Sequence, residues 1–314
     1  MSIARYGVDE ALPEHMRGAI IALGNFDGFH RGHQAVAGEA IGWARAEGRP
    51  AIVATFDPHP ARLFQPNAPP FRLTTLDQRQ QLFADAGADA MLVFAFDRAL
   101  AATSAQDFVR ELLIGRLGAA AVVTGGDFTF GKGRAGKAPM LGTLGADLGF
   151  RSRIVAPIEG DGGIISSTRI REALKAGDPR EAARLLSRPF AIEGRVVHGA
   201  KTGRELGYPT ANLELGHYLR PRYGIYAVRG RLPDGRVLDG AANIGIRPSF
   251  DPPVELLEPY FFQFSGDLYG QNIAVELHDF LRPERKFDDL EALKVQMAAD
   301  CHEARHRLAS VPAG

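Results

Sequence analysis

The sequence predicts two domains: an α/β domain built on a parallel sheet over residues 1–186, then a small antiparallel barrel or sandwich with a terminal helix over residues 187–314. Three observations predict it. Through the first half, short apolar runs alternate with helical periodicity, the pattern of a parallel sheet covered on both faces. Past Arg188-Pro189 the segments become short, alternating and separated by turn residues, the texture of a small barrel or sandwich. The chain then finishes on a long amphipathic stripe.

Residues 19–24 (Ala-Ile-Ile-Ala-Leu-Gly) form an apolar run that reads as a buried strand. A helix follows from His33 to Glu47, stopped by Gly48-Arg49-Pro50. Ala51 to Phe56 is a second strand, ended by Asp57-Pro58-His59-Pro60. Thr75 to Ala86 is helical, and Ala90 to Phe96 is a third strand. Ser104 caps the next helix, with Asp107 three residues on and Phe108, Leu112 and Leu113 facing inward. Ala119 to Thr124 and Arg153 to Pro157 complete the strands. Two short helices follow, from Thr168 to Lys175, capped by Ser167, and from Pro179 to Leu186. In the second half, strands are expected at 192–197, 224–229 and 273–277, with Pro233-Asp234-Gly235 turning a hairpin. Leu290, Leu293, Met297, Cys301, Ala304 and Leu308 recur at threes and fours and predict the terminal helix.

Composition removes several functions. The chain has 37 Lys+Arg against 37 Asp+Glu. Residues 1–186 hold 21 basic and 20 acidic side chains, and the remainder 16 and 17, so neither half is built to grip nucleic acid. A small phosphorylated ligand needs only local donors. Cys301 is the one cysteine, which excludes an internal disulfide and a thiolate zinc site. The early acidic residues exclude a signal peptide, and no run of 18 apolar residues exists to span a membrane. A cytoplasmic protein, monomeric or weakly homo-oligomeric, is expected.

Ligands of parallel sheets bind beyond the carboxyl ends of the strands. Three polar clusters are expected on that rim: 24–33, 57–60 and 125–134. In the first, Gly24-Asn25-Phe26-Asp27-Gly28-Phe29-His30-Arg31-Gly32-His33 joins a strand to a helix whose first amides form an anion site. Gly32 lets the backbone approach a phosphate. His30 and His33 can donate to phosphate oxygens and stabilise a transferring group. A zinc pair lacks an evident third ligand, and two ordinary loop histidines are the plain alternative.

These residues resemble the opening motif of the prokaryotic bifunctional riboflavin kinase/FAD synthetase family, whose His-x-Gly-His part is shared with the wider nucleotidyltransferase superfamily. The resemblance continues through Thr55-Phe56-Asp57-Pro58-His59-Pro60, Gly126-Asp127-Phe128-Thr129-Phe130-Gly131 and Ile165-Ser166-Ser167-Thr168-Arg169-Ile170-Arg171. It implies a Rossmann-like nucleotidyltransferase domain for residues 1–186 and a riboflavin kinase barrel for 187–314. His30, His33 and Asn25 would contact ATP phosphates, and Gly24, Phe26, Asp27, Gly28 and Gly32 of the same loop would also bind the nucleotide. Ser167, Thr168, Arg169 and Arg171 would handle the leaving pyrophosphate, with Arg171 catalytic. Asp127 and Phe128 would help hold flavin and nucleotide. One departure stands out: the stretch 131–139 is basic and flexible where the family commonly has an acidic residue.

The second half resembles the flavokinase motif over Gly199 to Leu213. Lys201 and Gly203 would wrap a phosphate. Thr210 and Asn212 alternate on extended chain, so both point one way, and their oxygens suit Mg2+ when phosphates complete its shell. The resemblance places the base for the ribityl hydroxyl on Glu258, with Glu255 a rival carboxylate nearby. Tyr260 stands where the family commonly has His, Gln263 where it has Asp, and Pro259 directly follows the glutamate. Arg285 would border the flavin site. The implied function is phosphorylation of riboflavin to FMN by ATP, then adenylylation of FMN to FAD and pyrophosphate. Three alternatives keep less of it: one reaction alone on the same fold, an unrelated nucleotidyltransferase, or a flavin carrier without turnover. A carrier has little need of His30, His33, Arg171, Thr210, Asn212 and Glu258 together.

Overall fold

A computed structural model describes residues 2–198, 207–247, 254–287 and 289–311. The chain divides into two compact units, Met1–Pro69 with Thr74–Ser166, and Pro70–Leu73 with Ser167–Gly314.

The first unit is built on six parallel strands: β1 (Ala4–Gly7), β2 (Ile20–Leu23), β3 (Ala51–Asp57), β4 (Ala90–Ala95), β5 (Ala121–Gly125) and β6 (Arg151–Val155). Their order is β1-β4-β3-β2-β5-β6. β2 and β3 are apolar at nearly every position because both faces are covered. β1 was absent from the sequence-based expectation. It is a four-residue edge strand, Ala-Arg-Tyr-Gly, without an apolar run, and its pairing with β4 makes it a strand. The chain leaves β2 toward β3 on one side and later returns as β5 on the other. That reversal opens a crevice beyond the carboxyl ends of β2 and β5.

Helix α1 (Arg31–Glu47) starts two residues before the expected position. It buries Val36, Ala37, Ala40, Ile41, Trp43 and Ala44, and Gly48 ends it in the left-handed region, its N–H donating to Ala44 and Arg45. Helix α2 (Leu76–Asp85) opens on a reciprocal cap between Thr75 and Gln78. The segment capped by Ser104 is helical from Ala105 and continues over Phe108–Arg116, burying Phe108 and Leu113 as expected.

The second unit begins with helices α3 (Ser167–Ala176) and α4 (Pro179–Leu186). The expected boundary after residue 186 separates them from the barrel, whereas the structure groups them with it. Composition cannot show which unit a helix joins. Here Arg222 N–H donates to Leu174 O at 3.0 Å, and Arg180 pairs with Asp279 at 2.6 Å.

The barrel strands are β7 (Phe190–Arg195), β8 (Leu213–Glu214), β9 (Gly224–Arg231), β10 (Val237–Arg247), β11 (Val254–Phe261) and β12 (Asn272–Arg282), in the order β7-β12-β9-β10-β11-β8. All pairings are antiparallel. Just beyond β7, Val197 N–H donates to Asn212 O at 2.9 Å and draws the two edges together, so the barrel is nearly closed. Ile192, Leu213, Val228, Ile244, Leu257 and Val275 fill the interior and are fully buried. Outside, helix α5 (Leu290–Ala309) lays Cys301, Ala304 and Leu308 on Ala227, Ala241 and Phe262. Only the carboxyl half of its predicted stripe is buried; Leu290 is 60% exposed.

Candidate active sites

The loop from Gly24 to Gly32 follows β2 and ends on α1. Phe26 and Phe29 have positive φ, 49° and 45°, which non-glycine residues seldom adopt. Their rings hold them there: Phe26 and Phe29 meet edge-on at 6.2 Å, and both meet Phe83. Gly28, at φ 85°, donates its N–H to Thr74 Oγ1 at 2.9 Å. Asp27 is 3% exposed, and its Oδ1 accepts from Thr74 N–H at 3.0 Å. Asp27 therefore anchors the loop from within. Asn25 is exposed at the rim.

His30 is the N-cap of α1, its Nδ1 accepting from His33 N–H at 3.3 Å. The two imidazoles stack with centroids 3.6 Å apart and planes at 20°. Phe26 meets the His33 ring edge-on at 5.3 Å. A Cβ on Gly32 would lie 3.1 Å from the His30 ring, and one on Gly24 would lie 3.2 Å from the Phe26 ring. A side chain at either position would press these rings aside by a few tenths of an ångström. Two stacked imidazoles at a helix N-terminus, in the crevice of a parallel sheet, form a donor set for a polyphosphate.

At the end of β5, Phe128 N–H returns to Gly125 O at 3.2 Å and its ring stacks on Phe130 at 5.9 Å. Asp127 is exposed beside it. The stretch expected to be a flexible basic loop is a small hairpin. Thr129–Phe130 pairs with Gly136–Lys137, and Arg134 donates to Thr129 Oγ1 at 2.9 Å. Sequence reasoning missed Arg79, a buried arginine that donates to Asn25 O and Thr55 Oγ1. Its place on α2 was legible, but its reach to the loop was not.

In the second unit, α3 begins at Ser167 itself, one residue before the helix start that would make Ser167 the cap. Thr168 is exposed. Arg169 bonds Glu181 on α4 at 2.7 Å, so a residue expected at the phosphates has a structural partner. Hydrogen bonding from Arg184, then from Arg169, holds the Glu181 carboxyl below its ordinary range against the effect of burial. Arg171 Nε donates to Phe71 O at 2.9 Å, and its guanidinium lies 5.3 Å from the Phe71 ring.

On the barrel, β8 pairs with β11 through Leu213↔Leu257, and Ala211 N–H donates to Pro259 O at 3.0 Å. That register sets Asn212 opposite Glu258 and Thr210 opposite Tyr260. Across the other edge of β11, Asn243 lies opposite Glu258. Directly opposed residues share a face. Asn212, Glu258 and Asn243 thus form one row on the outside of the barrel, the side that carries α5. Arg247 bonds Glu258 and lies 3.7 Å from Glu284, which also accepts from Asn243 at 3.1 Å. Burial lowers the Arg247 pKa, and Glu284 opposes that shift.

Glu255, the rival carboxylate, points to the opposite face of β11. It bonds Arg220 at 2.7 Å and also Tyr223. Burial pulls its pKa upward, but those two hydrogen bonds prevail and hold it below the ordinary value. Tyr260 meets Tyr208 edge-on at 5.2 Å and Phe262 at 5.9 Å, so it joins the apolar patch under the helix. Gln263 turns the chain at φ 54°. Arg285 is exposed and lies 4.6 Å from the Phe287 ring. Lys201 and Gly203 lie outside the described residues.

Two family models match the chain in tandem, that of FAD synthetase over residues 12–169 and that of riboflavin kinase over residues 186–308. The chain is 41% identical over 300 residues to the bifunctional riboflavin kinase/FMN adenylyltransferase of Pseudomonas fluorescens, covering 95% of this chain and 96% of that protein. It is 38% identical over 299 residues to the protein of the same name from Escherichia coli K12, with the same two coverages, 95% and 96%. A crystal structure described as a macrolide-efflux protein from Streptococcus pneumoniae matches with a TM-score of 0.86 at 31% identity, over 96% of this chain and 99% of that one. No helix among the described residues here is long and apolar enough to cross a membrane.

Proposed function

The chain belongs to the bifunctional riboflavin kinase/FMN adenylyltransferase family, and from that premise we propose which of its residues carry each reaction. The protein phosphorylates riboflavin to FMN with ATP, then adenylylates FMN with a second ATP to give FAD and pyrophosphate. We assign the first reaction to residues 187–314 and the second to residues 1–186.

In the kinase reaction Glu258 takes the proton of the ribityl 5′-hydroxyl as its oxygen attacks the γ-phosphorus. The observation that carries this assignment is the row Asn212–Glu258–Asn243, which puts the carboxylate among amide side chains on one face. Glu255 is on the other face and already committed to Arg220 and Tyr223. Arg247, bonded to Glu258, holds its carboxylate in orientation until the hydroxyl arrives. Thr210 and Asn212 offer hard oxygens on the same side of an extended segment, and these fit Mg2+. When bound, the ion neutralises phosphate charge. Lys201 and Gly203 are assigned to the phosphates and Arg285 to the flavin rim.

In adenylyl transfer His30, His33 and Asn25 hold the triphosphate, with the first amides of α1. Charge that builds on the departing pyrophosphate is met by these donors, and Ser167, Thr168 and Arg171 are assigned to pyrophosphate by their motif alone. FMN phosphate attacks the α-phosphorus, so no enzyme nucleophile is needed. Asp127 and Phe128 are assigned to the flavin and nucleotide, while Phe26 and Asp27 keep the loop in shape. Work in the cytoplasm as a monomer or weak homo-oligomer suits the lone cysteine and balanced charge.

Chromatography of the protein with riboflavin, ATP and Mg2+ tests the reading. FMN is expected first and FAD after it. Glu258→Gln should stop FMN formation from riboflavin while still converting supplied FMN to FAD, and His33→Ala should still make FMN but lose FAD formation from either substrate. Loss of both steps in either variant would refute the division of labour.

A further inference from the structure

Arg79 is 2% exposed, on a helix whose exposed positions, Asp77, Gln81 and Asp85, are polar in the ordinary way. Burying a cation is costly unless its donors are used. Here they reach three separate segments. Nη1 donates to Thr55 Oγ1 at 2.7 Å and to Asn25 O at 3.2 Å, and Nη2 lies 3.9 Å from Asp57 Oδ1. Nε approaches Thr75 O at 3.4 Å. Thr55 in turn donates to Asn25 O at 2.7 Å. The loop after β2, the end of β3 and the start of α2 therefore meet on one guanidinium.

The Asn25 carbonyl belongs to the peptide that leads into Phe26, whose φ is 49°. Two donors on that oxygen fix the peptide plane at the point where the chain enters a conformation disfavoured for phenylalanine. Four residues on, the same loop delivers the stacked His30–His33 pair. We propose that Arg79 is a positioning residue for adenylyl transfer, holding the Asn25–Phe26 peptide so that the phosphate-binding loop is set before ATP arrives. The proposal rests on the reading of residues 24–33 as the phosphate loop.

The test uses the full chain, in which FMN formation from riboflavin measures barrel function independently. In Arg79→Ala, kcat for FAD formation should fall about 10- to 100-fold, as expected when reacting groups are misplaced by about an ångström. FMN formation should stay within about twofold. Added methylguanidinium should restore at least part of the lost kcat, and Arg79→Lys should fall between wild type and Arg79→Ala. Thr55→Val, which removes the hydroxyl relay and keeps the charge, should lose kcat in the same direction and by less. Unchanged FAD formation in Arg79→Ala overturns the proposal. So does a loss that neither lysine nor methylguanidinium relieves, since that marks structural damage alone. His33→Ala is measured alongside. Full FAD formation there refutes the phosphate-loop reading itself, whereas a defect in His33→Ala with none in Arg79→Ala refutes only the role of Arg79.

Discussion

Two ion pairs join the terminal helix to the barrel, Arg307 with Asp279 at 3.3 Å and Arg282 with Asp300, and the strength of the second can be worked out. Arg282, at the end of β12, donates to Asp300 on α5 through Nε at 2.8 Å and Nη2 at 2.6 Å. The side chains are 19% and 9% exposed, and Gln296 donates to the same carboxylate at 2.9 Å. Breaking a buried pair from one side costs about 3–5 kcal/mol, because the survivor is left uncompensated. Partial exposure of Arg282 moves this pair below that range, to about 2–3 kcal/mol. Asp300→Ala should lower the thermal midpoint of the second unit by about 5–10 °C. The cycle Arg282→Ala, Asp300→Ala and the double variant should give a coupling of about 2 kcal/mol. Riboflavin phosphorylation retained after graded denaturant reads the barrel. Trp43, the one tryptophan, lies on α1 and reads the first unit by fluorescence. The kinase midpoint should move and the Trp43 midpoint should not. A coupling below about 0.5 kcal/mol, or parallel shifts of both midpoints, would refute the argument that this pair holds the helix.

Glu258→Gln should reduce riboflavin phosphorylation by about 100-fold or more, as expected for loss of a general base, while Glu255→Gln should affect mainly barrel stability; initial rates of FMN formation in both variants decide between the two carboxylates. Glu276 has its pKa raised by burial but more strongly lowered by His278 and Arg231, so it ends below the ordinary 4.5. Its stabilising contribution is therefore complete above about 4.5 and lost as pH falls below it, and Glu276→Gln should flatten the acid limb of barrel stability in urea titrations from pH 6 to 3. Burial pushes the Cys301 thiol up to about 11, so at pH 8 the folded protein should resist alkylation and label only as it unfolds. Rapid labelling of native protein would contradict the packing of α5 on the barrel.

Much of this molecule was legible as pattern. The runs that became β2, β3 and β4 are apolar because both sheet faces are covered, and such runs show in a single chain. Thr75 with Gln78, and Ser104 with Asp107, are caps made within four residues. The motif residues of the first loop were likewise visible, since they are contiguous. β1 was invisible because its only support is a neighbour far along the chain. The basic stretch 131–139 reads as flexible because its glycines and lysines say nothing of the pairing of Gly136–Lys137 with Thr129–Phe130 that orders it.

The sequence by itself determined the two classes of sheet, the loop that carries His30 and His33, and the spacing that sets Thr210 and Asn212 on one side. These are local properties, governed by periods of two and 3.6 residues and by the chemistry of turns. Only the tertiary structure decided that Asn212 and Asn243 flank Glu258 rather than Glu255, that Arg169 is taken by Glu181, and that Arg79 reaches the carbonyl of Asn25. Each depends on strand register or on a side chain crossing between elements. A shift of one residue in register would reverse every face, and nothing within a single segment specifies which partner it will meet.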